Sequence, residues 1–249
     1  MACPINKCLA SLAHKAMRLF TVTEKGFPNP LSRHSICWDL LVKATAAEND
    51  SGLVYKMKEI QDNQVLKSQL LQYMWKGSTQ VRGEHISKAR ISVPPMYGIK
   101  NIHKDKLSLK EKMSDISQPW KNDIIKFLFQ AEWWGPKGKG RKYGRKNNPY
   151  LHNLPTLALV ACSIECALLG AINNTTIEFP ETAFSARWNH HYMMLLEIFQ
   201  KCSPTYLAAV FDEIDEYVWN DCITVGQSDV SKLMFDFDAL EEAAKASKS

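Results

Sequence analysis

Apolar residues in this chain recur every three or four positions, the period of an α-helix, and almost nowhere alternate as in a half-buried strand. Leu9, Leu12, Ala13, Ala16, Met17 and Phe20 fall on one face of a predicted first helix over residues 9–20. Ser32 is a candidate cap for a second, carrying Ile36, Trp38, Leu40, Leu41 and Val42, which the run Glu48-Asn49-Asp50-Ser51-Gly52 breaks. A third covers residues 65–76. Gly77-Ser78 is placed to kink or interrupt it before the pattern resumes over 79–93, and Pro94-Pro95 ends it. The segments Val54-Tyr55 and Ile91-Ser92-Val93 are too short to found a sheet.

The rest is organised around the stretch from Trp120 to Cys202. Helical spacing over residues 122–129 extends through Ala131, Trp133 and Trp134 and stops at Gly135-Pro136. Residues 137–146 then hold six basic residues, three glycines and no acid, and Asn147-Asn148-Pro149 closes the loop with turn chemistry. Asn153 can cap the next helix, with Pro155 in its first turn. Leu157, Leu159, Val160, Ile164, Leu168 and Leu169 cover more than one face of it, as in a helix buried at the centre of a domain. Glu165 interrupts the run, which falls short of the roughly 20 apolar residues a membrane span needs. After a turn at Asn173-Asn174, a helix over 183–201 carries Phe184, Trp188, Met194, Leu195, Ile198 and Phe199. Further helices are expected around 206–218 and 228–244. The expected fold is all-α: a single globular multi-helix domain around the buried apolar helix 155–171, spanning 9–203, with an acidic helical extension over 204–249.

Composition adds two things. Seven cysteines, an odd number in no regular framework, and an N-terminus without an apolar leader run point to reduced thiols in an intracellular protein, nuclear or cytoplasmic. The net charge of +5 hides an asymmetry. Residues 212–242 hold ten acids against Lys232 alone, a net of −9, which leaves +14 on the remainder. A basic body suits an anionic partner, and charge balance within the fold is the plainer account of the same numbers.

Several stretches together resemble a helical domain of unknown function present in many copies in mushroom-forming fungi. They are Phe27-Pro28-Asn29-Pro30 with Ile36-Cys37-Trp38, then Gln80-Val81-Arg82-Gly83-Glu84 with Lys88-Ala89-Arg90 and Tyr97-Gly98. Further along come Pro155-Thr156-Leu157-Ala158-Leu159-Val160 with Ile164-Glu165-Cys166, and Phe179 followed by Trp188 and His191. The resemblance covers residues 13–203 and implies a mainly helical fold and a fungal source. It carries no activity with it. Residues 137–146 are more basic than the family pattern, and the acidic extension lies outside it.

Lys137, Lys139, Arg141, Lys142, Tyr143, Arg145 and Lys146 are the candidate nucleic-acid contacts. Lysine and arginine neutralise phosphates, glycines let backbone approach, and aromatic faces such as Tyr143 and the preceding Trp133-Trp134 can stack on bases. A solvated flexible loop or an import signal explains the same run, and Gly138-Lys139-Gly140 in particular has the composition of a flexible loop. Lys88 and Arg90, with Arg82, could extend the surface; Arg82 and Glu84 are expected to pair structurally. The lysines from Lys100 to Lys112 are interspersed with acids from Asp105 onward, as on a solvated face, and residues 104–117 are expected to form a polar loop or lid.

Glu165, Arg187, His190 and His191 are the buried polar candidates. Glu165 is expected either to pair with Arg187 or to face a small polar cavity. Cys162 and Cys166, one helical turn apart, could join His190-His191 at a zinc ion, but buried cysteine is more often a small hydrophobe. A Cys166–His191–Glu165 triad is disfavoured because adjacent helical residues diverge by about 100°. No metal, cofactor or catalytic residue is therefore assigned. The expectation is a non-enzymatic binding domain contacting nucleic acid through residues 137–146. The alternatives are a protein-interaction scaffold using the acidic tail or, third, an enzyme with a pocket at Glu165, His190 and His191. Oligomeric state is left open.

Overall fold

Asparagine and aspartate side chains start four of the helices, accepting backbone N–H groups that a first helical turn leaves unpaired. The computed structural model describes residues 4–99, 120–135, 138–202 and 204–224. Eight α-helices occur among them: α1 (Pro4–Thr23), α2 (Arg33–Glu48), α3 (Ser51–Asp62), α4 (Gln64–Met96), α5 (Asp123–Phe129), α6 (Leu154–Asn173), α7 (Glu181–Glu197) and α8 (Pro204–Thr224). π turns at Gln130–Trp134 and Ile198–Cys202 follow α5 and α7, and no strand occurs among the described residues. Caps form at Asp50 for α3, Asn63 for α4, Asn122 for α5 and Asn153 for α6, where Asn153 Oδ1 accepts from Thr156 N at 2.9 Å. Ser32 precedes α2 as expected but makes no capping bond.

Three local expectations are corrected. Residues 51–62 form a helix, since Leu53, Met57 and Ile60 recur at helical spacing and Asp50 caps it rather than only ending α2. Gly77-Ser78 does not interrupt α4. A Cβ on Gly77 would stand 2.9 Å from the His14 carbonyl, so the glycine lets α1 lie close against an unbroken α4. Pro94 and Pro95 sit in the last turn of α4 rather than ending it at Val93, and Gly98, at φ +67°, closes it by donating to the Pro95 carbonyl. The expected loop over 104–117 and helix over 228–244 lie outside the described residues.

Helices α1 and α4 run through two apolar clusters. One joins them to α2 and α3 through Leu9, Met17, Leu41, Met57 and Met74. The larger joins α4 to α5–α8 around α6, whose Leu157, Ala158, Leu159, Val160 and Cys162 have no exposed surface. At 20 residues α6 is long and apolar enough to cross a bilayer, contrary to the sequence estimate, but here it is packed as the core helix. Leu207, Val210, Ile214 and Val218 of α8 belong to the same cluster.

Arg82 ties the ends of this core together. Its guanidinium, 5 % exposed, donates to the Gly26 carbonyl at 3.3 Å and to Ser78 Oγ at 2.7 Å, and covers the Phe27 ring at 4.8 Å. It does not pair with Glu84 as expected, because residues two apart on a helix point away from each other. Glu84 reaches Arg18 of α1 instead, in a two-pronged ion pair with Nη1–Oε1 at 3.0 Å.

Candidate functional site

A groove of about 1560 Å³ opens between α1, α4 and the basic loop. On α1 it is lined by Lys7, His14, Lys15 and Arg18, which share one helical face over roughly 16 Å at 1.5 Å per residue. On α4 it is lined by Tyr73, Gln80, Gly83, Glu84, Ser87 and Lys88, again one face. Trp133, Lys139, Lys142, Tyr143 and Tyr150 form the remaining wall.

The basic loop is pinned in place. Asn148, buried, donates to the carbonyls of Gly140 at 2.6 Å and Gly144 at 3.2 Å. A Cβ on Gly138 would stand 2.2 Å from the Trp133 carbonyl, and one on Gly140 2.8 Å from it. These glycines therefore bring the loop against the protein's own backbone, which corrects their reading as flexible spacers. Tyr150 stacks on Trp133 with ring centres 5.2 Å apart, and Tyr143 meets Tyr150 edge-on at 5.8 Å. Trp133 and Trp134 are both buried, so they support the groove wall and present no face on which a base could stack.

Among the described residues, six cationic side chains and two carboxylates line the groove. Both carboxylates are already engaged. Glu84 is held by Arg18 and Gln80, and the Arg18 hydrogen bond keeps its carboxyl below the usual range. Lys88 Nζ lies 2.6 Å from Glu132 Oε2 yet makes its hydrogen bond to the Ala131 carbonyl, leaving Oε2 buried without one. Lys7, Lys15, Lys139 and Lys142 make no ion pair among the described residues. Partial burial, then the charges of Arg18, Lys15 and Lys142, lower the Lys139 pKa. Burial, then Arg18 and Lys139, lower His14 in the same way. Among the described residues, cations outnumber carboxylates here six to two.

Behind the wall sits His85, 3 % exposed, its ring 4.8 Å from that of Trp133 and its Nε2 without a hydrogen bond among the described residues. Burial lowers its pKa despite the nearby Glu132 carboxylate. The folded chain therefore resists a proton that the unfolded chain takes up below the ordinary value of 6.5. Stability is retained above that pH and lost as pH falls through it. His14 and His191, also lowered, act in the same direction. Denaturant midpoints should fall between about pH 7.5 and 5.5, and His85→Phe should flatten that decline. An undiminished slope in the variant would remove His85 from this account.

Of the sequence candidates, the structure brings Lys139, Lys142 and Tyr143 into the groove. Arg141, Arg145 and Lys146 are exposed on the loop outside it, with Arg145 Nε 2.6 Å from Asp215 of α8; Lys137 lies outside the described residues. Arg90 donates to the Ile177 carbonyl rather than extending the surface. The α1 stripe was missed, although basic residues at positions 7, 15 and 18 share the face opposite Leu9, Ala13 and Met17.

The second candidate cluster lies elsewhere, between α6 and α7. Glu165 pairs with Arg187, one of its two expected arrangements, and its Oε2 is 3.1 Å from His191 Nε2. Burial, then the Arg187 charge, lower the His191 pKa. The expected burial is not met: Arg187 and His190 are exposed, and Glu165 and His191 half-buried, because α7 buries the face of Phe184, Trp188 and Leu195, which Arg187 and His190 do not share. Cys162 Sγ and Cys166 Sγ face the carbonyls of Phe184 and Ile177, at 3.8 and 3.7 Å. Burial pushes their thiols up to about 12 and about 11. Among the described residues no three histidine, cysteine or acidic side chains converge as metal ligands.

A family model described as a domain of unknown function, DUF6532, matches residues 12–198. The chain belongs to that family. No curated protein and no solved structure matches it. The DUF6532 match takes in α2–α7, most of α1 and nearly all of the groove, with Lys7 and α8 outside it.

Proposed function

We propose that this domain is a non-enzymatic, intracellular binding module that holds nucleic acid by its phosphates in the groove between α1, α4 and the basic loop. The observation that carries the reading is that Lys7, Lys15, Lys139 and Lys142 line one recess and none of them is paired with an acid among the described residues. Holding like charges together is unfavourable in the free protein, and a bound polyanion relieves it while releasing its own counterions. Size favours a chain over a metabolite, since small-molecule pockets run to about 1,000 Å³ at most. Contacts confined to phosphates give little sequence preference.

Gly83 offers a clean test. It lines the groove, and a Cβ there would meet nothing within 4 Å. Gly83→Glu places a carboxylate in the recess and should weaken binding of a mixed-sequence oligonucleotide roughly tenfold. Gly83→Ala should bind as the parent does and gain about 0.5–1 kcal/mol of stability from helix propensity. Equal binding by the glutamate variant would move the contact surface elsewhere.

The scaffold reading also has a specific observation behind it. Arg145 meets Asp215 and Lys121 meets Glu213, so the start of the acidic extension already lies on basic residues of the body. If further acids cover the groove, a chain ending at Thr224 should bind nucleic acid more tightly than the whole chain. Equal affinity would set autoinhibition aside.

A further inference from the structure

We propose that the groove takes single-stranded nucleic acid, with unpaired bases laid on Tyr73 and Tyr143. The inference rests on the phosphate-binding reading and adds what selects the ligand. Tyr73 is 45 % exposed and Tyr143 37 %, both large apolar rings that line the recess rather than fill a core. Each is supported from the protein side. His14 lies 5.3 Å from the Tyr73 ring, and Tyr143 stands on the Tyr150–Trp133 stack. A supported ring with a free face beside cations is the arrangement that binds single strands, in which bases stack on aromatic side chains while the backbone follows positive charge. Bases in a duplex are already paired and stacked and leave these rings nothing to face.

The carboxylates favour the same ligand over a bare polyanion. Glu84 and Glu132 repel phosphate groups, but Glu84 Oε2, which accepts only from Arg18 among the described residues, has a lone pair left for the amino group of an unpaired base. A polymer without bases gains nothing from either feature.

The experiment compares fluorescein-labelled single-stranded DNA and RNA of one length, the duplex of that length and inorganic polyphosphate as competitor, using the full chain. Single strands should bind roughly tenfold more tightly than the duplex, and polyphosphate should compete poorly. Tyr73→Leu and Tyr143→Leu should each weaken single-strand binding roughly tenfold without changing its salt dependence. Tyr73→Phe and Tyr143→Phe should restore it, and an unchanged Tm in the leucine variants separates lost stacking from lost folding. Duplex binding as tight as single-strand binding, or leucine variants that bind normally, would overturn the inference and leave the phosphate groove standing. Failure of every polyanion at low salt would end both.

Discussion

Arg82→Ala should destabilise the domain by about 3 kcal/mol, a fall of roughly 6–12 °C in Tm for a chain of this size. Two effects add and one opposes. The Gly26 carbonyl and Ser78 Oγ lose a buried donor, and the space beneath the Phe27 ring empties. Against these, the fold no longer desolvates a guanidinium, the burial that lowers the Arg82 pKa. The first two win because Arg82 joins α4 to the loop after α1, a contact 56 residues apart in sequence. Thermal unfolding followed by circular dichroism measures the loss. A shift of under about 2 °C would mean that water replaces the guanidinium at little cost.

Neutralising Lys139 and Lys142 together should weaken oligonucleotide binding roughly 25-fold at about 0.1 M salt, while leaving Tm nearly unchanged. The figure follows from losing two phosphate contacts on a single strand, each contributing about −0.7 to the slope of log affinity against log salt. Stability is spared because both side chains are exposed and make no ion pair among the described residues. Relief of the repulsion that Lys139 feels from Arg18 and Lys15 even favours the free double variant. Replacing Arg145 and Lys146, on the same loop but outside the groove, should matter much less. Equal losses from the two pairs would indicate a diffuse loop effect rather than a groove.

What the sequence made legible was local. Asn153 and the run after it announced α6, because capping and apolar density act within one helix. Its packing at the centre followed from having no polar face to turn outward. Gly77 misled because its reason is another helix. Within α4 alone glycine only destabilises, and the close approach of His14 becomes visible only in three dimensions. The same holds for Gly138 and Gly140, whose partner is the Trp133 carbonyl across the loop. α3 escaped notice because only three of its residues are buried and Asp50 signals a helix start as readily as a break.

The site was half legible for the same reason. A run such as 137–146 declares its charge in any fold. Lys7, Lys15 and Arg18 are spaced along α1 among apolar residues, and they become a wall only when α4 and the loop stand opposite. Glu165 meets Arg187, one of the arrangements weighed for it, but through an exposed guanidinium rather than a buried one.

The phosphate groove is tested most directly by the salt dependence of binding to a short single-stranded oligonucleotide, measured by fluorescence anisotropy from low salt upward. With Lys7, Lys15, Lys139 and Lys142 each meeting one phosphate, log affinity should fall linearly with log salt at a slope of about −3, and at about −1.5 for the Lys139→Ala, Lys142→Ala variant. A slope near zero, a slope unchanged in the variant, or no binding at the lowest salt would contradict it.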